Sequence, residues 1–193
     1  MRELAILTFL TLDGVMQAPA NPDEDDSGGF AQGGWARDYW DEVMKQVSEE
    51  AMNEPYDLLL GRKTYDLFAP HWSTAPAEER PAIMLNMATK YVVTSNPDGL
   101  DWQNSHAITG DVPDAIADLK AQSGPLLQVH GSWCLIQTLL AHDLIDEFRL
   151  WIFPVVLGKG KRLFENGVTL RNLTLAKSAA TPDGVTMCIY RRH

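Results

Sequence analysis

Cysteine is almost missing from this chain of 193 residues, and basic residues are in deficit. The two cysteines, Cys134 and Cys188, sit inside apolar runs without metal-ligand spacing, so they read as reduced core thiols. Against 26 Asp and Glu stand 16 Lys and Arg, a formal net charge of −10. That balance leaves no broad basic face, which excludes nucleic acid and an anionic membrane surface as expected partners. No apolar run reaches bilayer length, and the first, Leu4 to Leu12, stops at Asp13-Gly14. With no signal-peptide pattern either, the expectation is a cytoplasmic protein. The five histidines show no i, i+4 pair, and the acidic run Asp23 to Asp26 lacks EF-hand spacing, so no metal site is expected. No GxSxG elbow is present and Ser132 has no recognisable base, which disfavours a hydrolase.

What remains is an ordinary globular chain. Hydrophobic residues make up 45%, and the length suits one domain over 1–193. Strand-like runs occur at Leu4 to Leu12, Tyr56 to Leu60, Lys90 to Thr94, Ser105 to Ile108, Leu126 to His130 and Ile145 to Val156, the last interrupted at Pro154. Helical patterns fall between them: Tyr39, Val43, Val47 and Ala51 recur every four residues, and Leu135, Ile136, Leu139 and Leu140 share one face. Further helices are expected after Gly61, within Pro76 to Met87 with Pro81 in the first turn, and after a capping Asp111. Alternation of this kind predicts an α/β fold, a mostly parallel sheet covered by helices on both faces. Leu173 to Ala180 and Val185 to Tyr190 flank Pro182-Asp183-Gly184, so a hairpin adds antiparallel strands at one edge. Residues 21–34, rich in Asp, Glu, Ser and Gly, cannot bury much apolar surface and read as a mobile loop.

In an open parallel sheet, ligands bind beyond the carboxyl ends of the strands. Three such ends carry suitable residues. Gly61, Arg62, Lys63 and Thr64 open a helix whose first amides and dipole attract an anion, with a guanidinium and a hydroxyl beside them. Thr94 and Ser95 close a second strand, and Gly131, Ser132 and Trp133 follow a third. Two readings stand side by side: plain helix capping at each end, and one site for a phosphorylated ligand. Asp13 is equally two-sided, a turn-forming residue or a substrate contact.

At these residues the sequence resembles the dihydrofolate reductase-like superfamily, closest to the C-terminal reductase domain of the bifunctional riboflavin-biosynthesis deaminase-reductase. The segments that carry it are 10–14, Leu60 to Tyr65, Tyr91 to Ser95, Val129 to Ser132, Asp146 to Leu150 and Pro154 to Gly160. The resemblance implies a three-layer α/β/α domain that binds NADPH and passes hydride to a small heterocyclic or carbonyl substrate. It would give Arg62 and Lys63 the adenosine 2′-phosphate, Thr64 the pyrophosphate, and Thr94 and Ser95 the adenosine ribose. Gly131, Ser132 and Trp133 would cradle the pyrophosphate, the Val15-Met16 turn would lie near the nicotinamide, and 21–34 would be a lid. Asp13 or water would supply the proton. Families of this kind often form homodimers, and the run Glu147 to Phe153 is a candidate contact or else a covered central strand. Two departures stand out. His130-Gly131 occupies the place of a Gly-Gly pair, and neither Asp38 nor Asp41 matches the pterin-binding acid, so folate specificity is unsupported. The deaminase half, with its HxE and CxxC signatures, is absent. The rival readings are a flavin-type cofactor in the same fold and a non-catalytic dimeric nucleotide-binding protein.

Overall fold

The computed structural model of the chain describes residues 1–51, 53–76, 78–165 and 172–193. Its apolar runs assemble into one eight-stranded sheet: β1 (Leu4–Thr11), β2 (Tyr56–Gly61), β3 (Lys90–Val93), β4 (Ser105–Ile108), β5 (Leu126–His130), β6 (Glu147–Phe153), β7 (Leu173–Ala180) and β8 (Thr186–Arg192). The strands lie in the order β4-β3-β2-β5-β1-β6-β8-β7. Pairings from β4 through to β6 are parallel, and β8 pairs antiparallel with β6 and β7. The mostly parallel sheet with a closing hairpin is therefore the architecture the sequence predicts. From β1 the chain crosses to β2 and steps outward through β3 to β4, then returns to β5 and goes on to β6 on the other side of β1; this reversal of strand order makes the ends of β1, β2 and β5 the natural place for a ligand.

Among the described residues five α-helices cover the sheet: α1 (Glu42–Ala51), α2 (Arg62–Trp72), α3 (Arg80–Met87), α4 (Val112–Ala121) and α5 (Trp133–Ala141). Apolar residues of α4 and α5, among them Ile116, Leu119, Ile136 and Leu139, pack on Leu4, Ile6, Leu127 and Val129 of one face. The other face takes α2 and α3 over Tyr56, Leu58 and Leu60, and Met44 of α1 beside Trp151 and Phe153. Three layers result. Both faces of β1 are buried, which is why its sequence reads as a continuous apolar run rather than an alternation.

Local signals set several boundaries. The Asp111 carboxylate accepts from the Asp114 amide and starts α4, and Pro81 lies, as expected, in the first turn of α3, which begins at Arg80. The strand β6 stops one residue before Pro154, whose ring cannot donate to a ladder. Of the four-residue repeat expected for α1, the side chains of Val47 and Ala51 lie outside the described residues. Within the chain β6 is a covered central strand: Trp151 and Phe153 are buried against Phe9, and Tyr39 packs edge-on to Phe153. Among the described residues no helix is long and apolar enough to cross a membrane.

Candidate functional site

The ends of β2 and β5 meet through one side chain. The Ser132 hydroxyl accepts a hydrogen bond from the Gly61 amide at 2.9 Å and donates to Thr64 Oγ1 at 2.8 Å. Because Ser132 Oγ is spent on the neighbouring strand end, it does not cap its own helix. Neither α2 nor α5 has a side-chain cap, and neither carries an acid in its first turn. Two positive helix ends, held together by Ser132, thus keep free amides. Gly131 and Ser132 adopt left-handed φ values of 59° and 63°, the latter a strained conformation for a residue with a Cβ.

Arg62 extends this rim toward β3. Its Nη1 donates to the Asn96 and Asp98 carbonyls at 2.9 Å each, and its Nε donates to Asp66 at 2.8 Å. Nη2 keeps its two protons without a partner among the described residues, and it faces Gly99, where an added Cβ would come within 3.3 Å. Arg62, Asp66, Thr94, Ser95, Asn96 and Gly110 line part of a cavity of about 620 Å³. Thr94 folds its hydroxyl onto the Asn96 amide and carbonyl and so shapes the loop. Lys63 and Ser95 are exposed. Arg62, Thr94 and Ser95 therefore share one cavity, and the hydrogen-bonded cluster of Gly61, Thr64 and Ser132 stands outside its lining, with Gly61 adjoining Arg62 in the chain. Trp133 departs from the group: its ring lines a second cavity of about 660 Å³, with Nε1 donating to the Arg162 carbonyl at 2.9 Å.

At the end of β1 the chemistry is of another kind. Asp13 Oδ1 accepts from the Thr11 hydroxyl at 2.6 Å and the Leu157 amide at 3.2 Å. Its Oδ2 accepts from the Gly158 amide at 2.8 Å and from Arg162 Nη2 at 3.3 Å. Desolvation pushes the Asp13 pKa up, but the bonds from Thr11, Gly158 and Leu157 outweigh it and leave the group at about 2. The carboxylate clips the 157–162 loop to the turn after β1, the turn-forming one of its two expected roles.

The acidic stretch 21–34 is likewise anchored where composition suggests a free loop. Lys161 Nζ donates to Asp25 at 2.5 Å and to Ser27 at 2.7 Å, and the Gln17 side chain donates to the Asp25 and Ser27 carbonyls. Phe30 is buried against Val15 and Ala18. Asp41 caps α1 through the Met44 amide at 2.6 Å, so its carboxylate is already in use.

The RibD C-terminal domain matches residues 2–187, nearly the whole chain. The chain belongs to that family. It is a reductase family, and this member is 30% identical over 142 residues to the uncharacterized protein YyaP of Bacillus subtilis (strain 168), covering 72% of this chain and 75% of that protein. The uncharacterized protein YwjB of the same organism is 30% identical over 107 residues, 55% of this chain and 57% of that one. Among solved structures, a putative riboflavin biosynthesis protein from Shewanella sp. PV-4 superposes with a TM-score of 0.64 at 22% identity, covering 100% and 99% of the two chains. A dihydrofolate reductase from Enterococcus faecalis, complexed with NADP(H), does so with a TM-score of 0.62 at 14% identity, covering 99% and 96%. The fold of this RibD C-terminal domain is thus dihydrofolate reductase-like.

Two uncapped helix ends, the Arg62 guanidinium and an exposed Lys63 make a donor set suited to an anion. Sequence reasoning missed Arg162, Lys161 and Gln17, whose partners are remote in the chain. It also missed the polar pair Gln128 and His130 inside β5. Their signal was present, two polar residues at alternate positions in an otherwise apolar strand.

Proposed function

We propose that this RibD C-terminal domain is an NADPH-dependent reductase acting on a small heterocyclic or carbonyl substrate. The observation that carries the reading is the pair of uncapped helix ends joined by Ser132, with Arg62 lining the adjoining cavity. When bound, NADPH supplies the hydride. The amides that open α2 and α5, with Thr64 and Ser132, bind the pyrophosphate. Arg62 and Lys63 hold the 2′-phosphate, and Thr94 and Ser95 border the adenosine. Asp13 holds the 157–162 loop in place, and the tethered 21–34 segment screens the site from bulk water. The carboxylate of Asp13 being ionised, the proton for the product comes from water.

Arg62→Ala tests this directly. Losing a charge-assisted contact to the 2′-phosphate weakens NADPH by about 2–3 kcal/mol, roughly a hundredfold, and leaves NADH within about twofold. Titration of both nucleotides reads the difference. Equal loss for the two removes the 2′-phosphate assignment.

A further inference from the structure

Among the described residues, the buried side-chain nitrogen and oxygen atoms without a hydrogen-bond partner number four, and they fall in three neighbouring residues: Tyr56 Oη, Gln128 Nε2 and Oε1, and His130 Nε2. Exposure of these residues is 4%, 0% and 8%. Gln128 and His130 lie two apart on β5 and so share a face. On β2, Leu58 pairs with Gln128, which puts Tyr56 on that face too, and its ring stacks on His130 with centroids 6.0 Å apart. A buried polar atom without a partner is expensive, and four in one patch of a well-packed sheet need a reason.

We propose that Tyr56, Gln128 and His130, roofed by Phe68, form an uncharged hydrogen-bonding site that takes a neutral carboxamide-type group of the substrate. Its assignment to the substrate rests on the reductase reading. Gln128 offers a donor and an acceptor side by side on one plane, and the complement of that edge is a C=O beside an N–H. Tyr56 and His130 each add a group that donates or accepts. The cations on this face are already engaged: Arg149 and Arg191 donate to Glu147 at 2.6 and 2.8 Å, and buried Lys90 donates to the Asn86, Ala88 and Gln103 carbonyls. A carboxylate or phosphate entering here would find no cation waiting. Burial, and secondarily Arg149, holds the His130 imidazole neutral, and burial keeps the Tyr56 phenol protonated.

The roof belongs to the cofactor helix. Phe68 stands edge-on to His130 at 6.3 Å and is only partly buried. It lies one turn beyond Thr64 on α2, and His130 directly precedes Gly131 and Ser132. The same two segments that carry the phosphate-binding amides therefore carry this site, which places a substrate group close to the bound dinucleotide.

The test uses benzamide and its isosteric anion benzoate, followed by NMR at the Gln128 side-chain amide and the His130 ring. Benzamide is expected to shift both signals and benzoate neither. Gln128→Met, which matches the shape without polar atoms, is expected to weaken benzamide at least tenfold and to leave the melting temperature unchanged or raised. Tyr56→Phe is expected to weaken it severalfold, again without loss of stability, and carries the test if Gln128→Met does not fold. Absence of benzamide shifts, equal binding of benzoate, retained affinity in the variants, or a lowered melting temperature in both would overturn the site. NADPH titrated into the same samples separates the two readings. Benzamide binding without NADPH binding keeps the site and removes the reductase, and NADPH binding without benzamide binding does the reverse.

Discussion

The two rims of this sheet spend their polar groups in opposite ways. Around the end of β1, Asp13 takes four donors, Gln17 bonds to Asp25, Ser27 and Lys161, and Lys161 in turn holds Asp25 and Ser27. Every one of these groups is consumed in tying loops together. At the ends of β2, β3 and β5 the accounting is left open: α2 and α5 lack side-chain caps, Arg62 Nη2 keeps its protons, and Ser132 sits at a strained φ of 63°. Satisfied groups stabilise a frame, and unsatisfied ones wait for a partner. The difference separates residues that build the protein from residues that bind.

Perturbations of the two rims should then differ in kind, and acid offers the largest effect. Burial, with help from Arg149, lowers the His130 pKa from 6.5 to about 4. The folded state holds a neutral ring while the unfolded chain takes up a proton, so stability present above pH 6.5 is lost as pH falls toward 4. The size is about 3 kcal/mol for a shift of this order, measured by urea denaturation across that window. Asp13, lowered from 3.8 to about 2, adds a second loss only below pH 4. A stability profile flat from pH 7 to 4 would show that His130 is not the buried neutral group described. Next in size is Asp13→Ala. Removing the acceptor strands the Leu157 and Gly158 amides and the Arg162 guanidinium, at a cost of about 2 kcal/mol in denaturation experiments, with NADPH affinity little changed. A large loss of NADPH affinity without loss of stability would move Asp13 across to the binding rim.

What the sequence disclosed follows the range of the interactions involved. Gly61 to Thr64 was legible because a helix start is a matter of four adjacent residues, and so was the hairpin at Pro182-Asp183-Gly184. The six parallel strands were legible because burial on both faces writes itself as apolar runs. Asp13 stayed ambiguous because Leu157, Gly158 and Arg162 are more than 140 positions away. Composition pointed to a free loop at 21–34 for the same reason: the Lys161 that secures Asp25 is 136 positions distant. Gln128 and His130 hid behind a different rule. Alternating polar residues in a strand ordinarily mark a solvated face, and here both are buried inside a covered sheet, with His130 against Phe68 and Tyr56.

The smallest effect sharpens the comparison most, because it sits on the open rim. Asp66, one turn after Arg62, accepts its Nε at 2.8 Å and lines the same cavity, with its side chain 54% exposed. Two influences on a bound 2′-phosphate oppose each other there. The carboxylate orients the guanidinium, and its negative charge repels the ligand. Asp66→Asn keeps an oxygen for Nε and deletes the charge, so orientation survives and repulsion goes. NADPH then binds about two- to threefold more tightly, an exposed-pair effect of about 0.5 kcal/mol, and NADH is unaffected. Between exposed groups such a term is screened, so the gain shrinks as salt rises toward 1 M, where charges interact over only about 3 Å. Titrations of both nucleotides at low and high salt read it. A gain shared by NADH, or one indifferent to salt, would mean that the charge beside Arg62 faces no 2′-phosphate, and the open rim would then need a different anion.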